Sequence, residues 1–336
     1  MTLLSGLLLS TLSAQAGSAP LIINGGDATI DEYPNTGGLI VELDGYGILL
    51  MCSSTLIAPD TVMVAAHCLD PDVLGGEPAN IGWSRQSDLS SWGAGTASGW
   101  PDDVAMASDW VAHEGFDYYT MGLGLSLNSD IGLVFLDTPV TVVAPAVLPT
   151  TEEAAEIAQG DEVVVVGWGY QDADLVGELG VKQMGISDLS ELADYEFQVG
   201  KATSAVRKCH GDSGGPSFRT YPDSESTIKD RVIGVTSHTY DLTDCQETGG
   251  VDTRVDYFLD WIDTEMSARC ADSSRSWCDE PGILAPPVPK SHEELMQGIE
   301  LIGCATGGSA RGGLAALALV ALALGRRSYR PAPSSR

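Results

Sequence analysis

The chain has 336 residues, 43% of them hydrophobic, enough for a two-lobed core with appendages. Its formal net charge is −30 at pH 7 and its isoelectric point lies near 4.1. Such acidity argues against nucleic acid as a partner, because phosphates need Lys and Arg to neutralise them, and reads instead as a soluble, self-repelling surface.

At the start of the chain, residues 1–19 read as a secretory signal: an apolar run at 3–12 precedes Ala14-Gln15-Ala16, a small-x-small cleavage pattern. From residue 38 to about 237 the chain reads as short strands rich in Val, Ile and Leu, set between turn residues with few helical periods. Examples fall at 38–43, 48–57, 61–65, 131–136, 162–166 and 232–237, a pattern that predicts an all-β barrel architecture. Residues 87–103 are dense in Gly, Ser and Asp and predict an inserted surface loop. Val255, Phe258, Leu259, Ile262 and Met266 fall at helical spacing and predict one helix with an apolar core stripe.

Residues 269–303 hold Cys270 and Cys278, then Pro281, Pro286, Pro287 and Pro289, and so form a cysteine loop and an extended linker. Residues 304–336 run from Cys304 through a Gly-rich spacer and an apolar stretch at 312–324 to Arg326-Arg327. That stretch is shorter than the roughly twenty residues of an ordinary spanning helix. The cysteine, the short apolar stretch and the arginine cluster together resemble the C-terminal sorting tails of myxobacteria and their relatives. The seven cysteines include no Cys-x-x-Cys pair, which argues against a structural zinc and for disulfides in an oxidising compartment.

Eight consecutive residues carry the chemistry: Cys209-His210-Gly211-Asp212-Ser213-Gly214-Gly215-Pro216. Their glycines and proline impose a fixed loop. A serine held there, beside glycines that let a substrate backbone approach, suits a nucleophile, and the N–H groups of Gly211 and Ser213 can converge on an oxyanion. A serine needs a base, and the base needs an orienting carboxylate. His67, in Val64-Ala65-Ala66-His67-Cys68, and Asp130, in Asn128-Ser129-Asp130-Ile131-Gly132-Leu133, supply both. Singly, each piece has a bland reading: a glycine-rich loop is usually a turn, and a histidine among alanines is usually packed.

In this order the motifs resemble the trypsin/chymotrypsin-like serine protease family, over about residues 22–266. Gly211-Asp212-Ser213-Gly214-Gly215 also fits the G-x-S-x-G elbow of α/β-hydrolases, but that elbow needs a helix after the serine, and Pro216 breaks one. His113 lies in Val111-Ala112-His113-Glu114, which resembles a surface stretch of the protease family, and reads as structural.

The resemblance implies two six-stranded antiparallel β-barrels with a C-terminal helix over residues 22–268, with 162–169 opening the second barrel. Ser213 becomes the nucleophile, His67 the general base and Asp130 its orienting acid, with no metal or other cofactor required. Cleavage before Ile22, with 20–21 as a short propeptide, would free an amine to pair with Asp212 and order the oxyanion loop. Cys52 would bridge to Cys68 and Cys209 to Cys245, while Cys270 and Cys278 make a local pair outside the family pattern. Counting six back from Ser213 places Arg207 at the floor of the specificity pocket, followed by Lys208. Ser237, His238, Thr239, Gly250 and Asp252 complete that pocket.

Two readings of this floor stand. Arg207 selects Asp or Glu before the scissile bond, or Arg207 pairs with Asp252 and leaves a neutral floor for small or polar residues. Both disfavour Lys and Arg. The partners implied are protein or peptide substrates, an activating protease, and sorting machinery acting at Cys304. The mature protein is expected to be secreted or held at a bacterial cell surface. The alternative is a protease-like binding module that is catalytically silent on the same fold.

Overall fold

The computed structural model describes residues 22–170, 179–202, 205–224, 226, 228–240, 245, 249–275 and 278. The leader expected at 1–19, the propeptide expected at 20–21, residues 279–303 of the expected linker and the expected Cys304 tail lie outside the described residues.

After a two-residue strand β1 (Gly26–Asp27), the apolar runs form β2 (Thr36–Leu43), β3 (Gly47–Ala58), β4 (Thr61–Val64), β5 (Pro78–Ser84), β6 (Ala105–Ala112) and β7 (Gly132–Leu136). They close antiparallel into a barrel in the order β2-β3-β4-β7-β6-β5. Its interior is aliphatic: Leu39, Val41, Leu56, Val62, Val64, Ile81, Leu133 and Val134 are all buried in one cluster. Burying such side chains, each worth about 1.5–3 kcal/mol, is what these Val- and Leu-rich runs are for.

A second set follows: β8 (Glu162–Gly167), β9 (Gln183–Leu192), β10 (Glu196–Val199), β11 (Pro216–Thr220), β12 (Asp230–Thr239) and β13 (Gly250–Arg254). It closes in the order β8-β9-β10-β13-β12-β11, again antiparallel, with β1 added on β9. Val163, Val165, Leu189, Phe197, Val199 and Ile233 fill it, and Ile22 packs with them. The architecture is therefore two six-stranded antiparallel barrels, all-β as expected.

The helix anticipated from Val255, Phe258, Leu259, Ile262 and Met266 runs over Leu259–Ala271, preceded by a 3₁₀ turn at Asp256–Phe258. Its stripe joins the cluster that fills the first barrel. Arg269 anchors it there by an ion pair to Asp109 at 2.8 Å and by lying over the Phe135 ring. His113 belongs to this joint. Its ring centroid lies 5.0 Å from those of Phe258 and Trp261, and its Nδ1 accepts the Gly115 N–H.

The segment at 87–103 lies largely at the surface as expected, and it is anchored there by Leu89, which enters a cluster with Ile40, Leu50 and Trp168, and by Trp92 and Trp100, which pack against that cluster. The Leu89 N–H donates to the Gly180 carbonyl at 2.6 Å. Two tryptophans and a leucine among the polar residues supply enough apolar area to seat the loop, which its Gly, Ser and Asp content hides.

Candidate active site

His67 sits on the 3₁₀ turn Ala66–Cys68 that leaves β4, and Asp130 lies just before β7. Since β4 and β7 are paired, with Val64 opposite Gly132, the two side chains emerge at the same end of the first barrel. The Cys52–Cys68 disulfide ties the histidine's turn to β3. His67 Nδ1 is 2.7 Å from Asp130 Oδ2, and the His67 backbone N–H donates to Asp130 Oδ1 at 2.9 Å. A carboxylate only accepts, so Nδ1 is the ring nitrogen that donates in this pair, and Nε2 is the one left outside it.

Two residues of the second barrel complete the aspartate's surroundings. The Ser237 hydroxyl donates to Asp130 Oδ2 at 2.5 Å, and the Thr253 hydroxyl donates to the Asp130 carbonyl at 2.9 Å. Asp130 is fully buried, and burial pushes its carboxyl up. The His67 ring, the Ser237 hydroxyl and the His67 N–H outweigh that and hold it below the ordinary carboxylate range.

Ser213 comes from the loop before β11, held by two sets of bonds. The Cys209–Cys245 disulfide closes one end. From the first barrel, Ser53 N–H donates to the Ser213 carbonyl at 2.8 Å, and Ser53 Oγ donates to the Gly211 carbonyl at 2.9 Å. Glycine is required at two positions. Gly211 has φ +94°, and Gly214, at φ +77°, passes so close to Ser53 that a Cβ would stand 2.4 Å from its carbonyl oxygen. The Gly214 and Gly215 N–H groups donate to Thr236 and Asp212 carbonyls. Those of Gly211 and Ser213 have no acceptor among the described residues.

Asp212 points into the protein. Its carboxylate accepts the Gly169 and Cys209 N–H groups, each at 2.9 Å. Burial nonetheless pushes its carboxyl up to about 6, against the pull of those two donors and of Lys208. Ile22 is buried with the second-barrel core, and Ile23 bridges to Arg207.

A cavity of about 260 Å³ adjoins Ser213 and His67, lined also by Lys208, His210, Ser237, His238, Thr239 and Gly250. Arg207 does not line it. The Arg207 N–H donates to the Ile23 carbonyl at 3.0 Å on the β1 side. Neighbouring residues of an extended segment face opposite ways, so Lys208 takes the floor instead. The expected Arg207–Asp252 pairing is corrected accordingly: Asp252 is paired with Lys208. Lys208 Nζ lies 2.7 and 2.9 Å from the two Asp252 oxygens and 2.9 Å from Ser217 Oγ. Burial pulls its ammonium down, and Asp252 works the other way.

His238 Nδ1 lies 3.0 Å from Ser237 Oγ. That hydroxyl spends its proton on Asp130, so it accepts from His238. Burial holds the His238 ring down at about 4, so it is neutral near pH 7. Ser237 therefore orients Asp130 as well as lining the cavity. That role, and those of Ser217, Thr253, Tyr118 and Met121, carry no local sequence signal. Cys52, His67 and Cys68 form a metal-like cluster, but both sulfurs are spent in a disulfide and offer no thiolate.

The family described as Trypsin matches residues 22–262. Brachyurin from Leptuca pugilator is 25% identical over 266 residues, covering 73% of this chain and 98% of its own. Trypsin from Saccharopolyspora erythraea is 28% identical over 260 residues, covering 74% and 99%. CLIP domain-containing serine protease HP8 from Bombyx mori is 28% identical over 268 residues, covering 72% and 68%.

Proposed function

The chain belongs to the trypsin family of serine endopeptidases, and from that premise we propose that Ser213, His67 and Asp130 cleave the peptide bond. His67 Nε2 takes the Ser213 proton as Oγ attacks the scissile carbonyl, then passes it to the leaving amine. Asp130 keeps Nδ1 protonated and stabilises the imidazolium. The observation that carries this reading is the pair of unclaimed N–H groups, Gly211 and Ser213, beside a serine that shares one cavity with a carboxylate-bound histidine. Those donors suit the negative oxygen of a tetrahedral intermediate.

In this reading the chain is made as a zymogen. Cutting before Ile22 frees an amine whose positive charge pairs with buried Asp212, lowers its carboxyl from about 6, and locks the neighbouring oxyanion loop. Specificity is not for Lys or Arg, since the cavity-lining Lys208 already takes both Asp252 oxygens and leaves them nothing to offer an arriving cation. The domain layout is a leader at 1–19, a propeptide at 20–21, a protease domain at 22–268, a linker at 269–303 and a sorting tail from Cys304. The mature protease is accordingly secreted or surface-held, acts on protein or peptide substrates, and meets an activating protease and the sorting machinery.

A fluorophosphonate probe applied to protein beginning at Ile22 tests the reading. Labelling of wild type, and none of Ser213→Ala, is expected. Equal labelling of both would overturn it.

A further inference from the structure

The floor of the cavity beside Ser213 holds a buried charge pair that family membership does not explain. Lys208 is 2% exposed and Asp252 is fully buried. An ammonium has three N–H bonds, and here it has three acceptors: Asp252 Oδ1, Asp252 Oδ2 and Ser217 Oγ. No donor is left over for a carboxylate arriving from the cavity. Asp252, with both oxygens on Lys208, offers nothing to an arriving cation. The members come from separate segments, Lys208 from the loop before β11 and Asp252 from β13. Gly250 on β13 lines the cavity without a side chain, beside Lys208.

A charged side chain entering this cavity must give up water beside a pair that is already closed, and it gains no partner. An uncharged side chain gives up little and packs on the Lys208 stem. We propose that the Lys208–Asp252 pair is the specificity determinant, admitting uncharged side chains before the scissile bond, and that each member masks the preference its partner would create alone. This rests on Ser213 being the nucleophile and on this cavity receiving the residue before the cut.

The masked preferences have opposite signs. Asp252→Asn leaves the Lys208 cation without its counter-charge, so a substrate Asp or Glu can replace it. Lys208→Ala leaves the Asp252 anion alone behind a deeper pocket, which suits Lys or Arg. Lys208→Met with Asp252→Asn removes both charges at similar volume and keeps the wild-type preference.

The experiment is a peptide-library cleavage profile of Ile22-starting protein, with fluorophosphonate labelling of each variant as the check that the site is formed. Wild type should prefer uncharged residues over both Glu and Arg by about tenfold or more in kcat/KM. The Glu-to-Ser ratio should rise at least about tenfold in Asp252→Asn, and the Arg-to-Ser ratio likewise in Lys208→Ala. A labelled wild type that prefers acidic or basic residues overturns the proposal alone, as do labelled single variants with unchanged profiles. If a single variant fails to label, the double variant decides: a wild-type profile supports the pair as a neutral floor, and a charged preference overturns it. An unlabelled wild type overturns the nucleophile assignment and this inference together.

Discussion

Glu196, on β10, is fully buried and holds the segment that leads to Asp130. Its Oε2 accepts the N–H groups of Ser126 and Leu127, the latter at 3.3 Å, while its Oε1 has no partner among the described residues. Burial pushes this carboxyl from 4.5 to about 7; the two N–H groups oppose the shift and the Asp130 charge adds to it. The folded chain therefore holds the proton more tightly than the unfolded one. The stabilisation is complete below pH 4.5 and is lost as pH rises through about 7. An ionisation displaced by that much corresponds to a change on the order of 3 kcal/mol.

Glu196→Gln isolates the effect. The amide copies the protonated carboxyl: its oxygen keeps both N–H bonds, and its NH₂ takes the place of the partnerless Oε1. Urea unfolding from about pH 4 to about pH 8 compares the two proteins. Wild type should lose about 3 kcal/mol relative to the variant across this window, most of it between pH 5 and pH 7 by order of magnitude. Parallel stability curves would show that Glu196 ionises freely and would refute the reasoning.

Three further outcomes are expected. Asp130→Asn should lower kcat by about 10⁴ near neutral pH, because an amide facing the His67 N–H favours the wrong tautomer; a loss below about tenfold in a peptide-hydrolysis assay would count against Asp130 as the orienting group. Protein extended ahead of Ile22 should be strongly impaired, and Asp212→Asn should impair the processed form as severely. Processed activity should also fall at alkaline pH, above the ordinary α-amine range, as the paired Ile22 amine loses its proton, and full activity of a verified-uncleaved chain would rule the mechanism out. Mass spectrometry of surface-exposed protein should find Arg336 missing, and Cys304→Ala should leave a longer, membrane-retained form; an intact Arg336 on the surface form would sink the sorting-tail reading.

Much of the fold is legible one segment at a time. The Val- and Leu-rich runs become β2, β3, β4, β7, β8 and β12 within a residue or two, because a strand buried on a barrel wall needs a short apolar run wherever it lies. The helix at Leu259–Ala271 is marked by the spacing of Leu259, Ile262 and Met266, while Val255 and Phe258 fall at the 3₁₀ turn before it. By contrast, β5 and β9 contain Pro, Asn, Gly, Ser and Asp, and they are strands because both neighbours offer them ladders. Local motifs likewise suffice to name His67, Asp130 and Ser213, since tight glycine geometry leaves a mark in sequence.

Contacts between distant segments leave no such mark. Ser237 reaches Asp130 across 107 residues, and Glu196 reaches Ser126 across 70. Arg207 and Lys208 are adjacent cations whose composition says nothing about which one faces the cavity. The bridge from Arg207 to Ile23 turns Arg207 away, and alternation then delivers Lys208 to Asp252. Sequence by itself marked six of the strands and the candidate triad, because period and glycine content are local. Only the closing of the barrels decided which charges meet, because a buried charge costs least where an opposite one arrives from elsewhere in the chain.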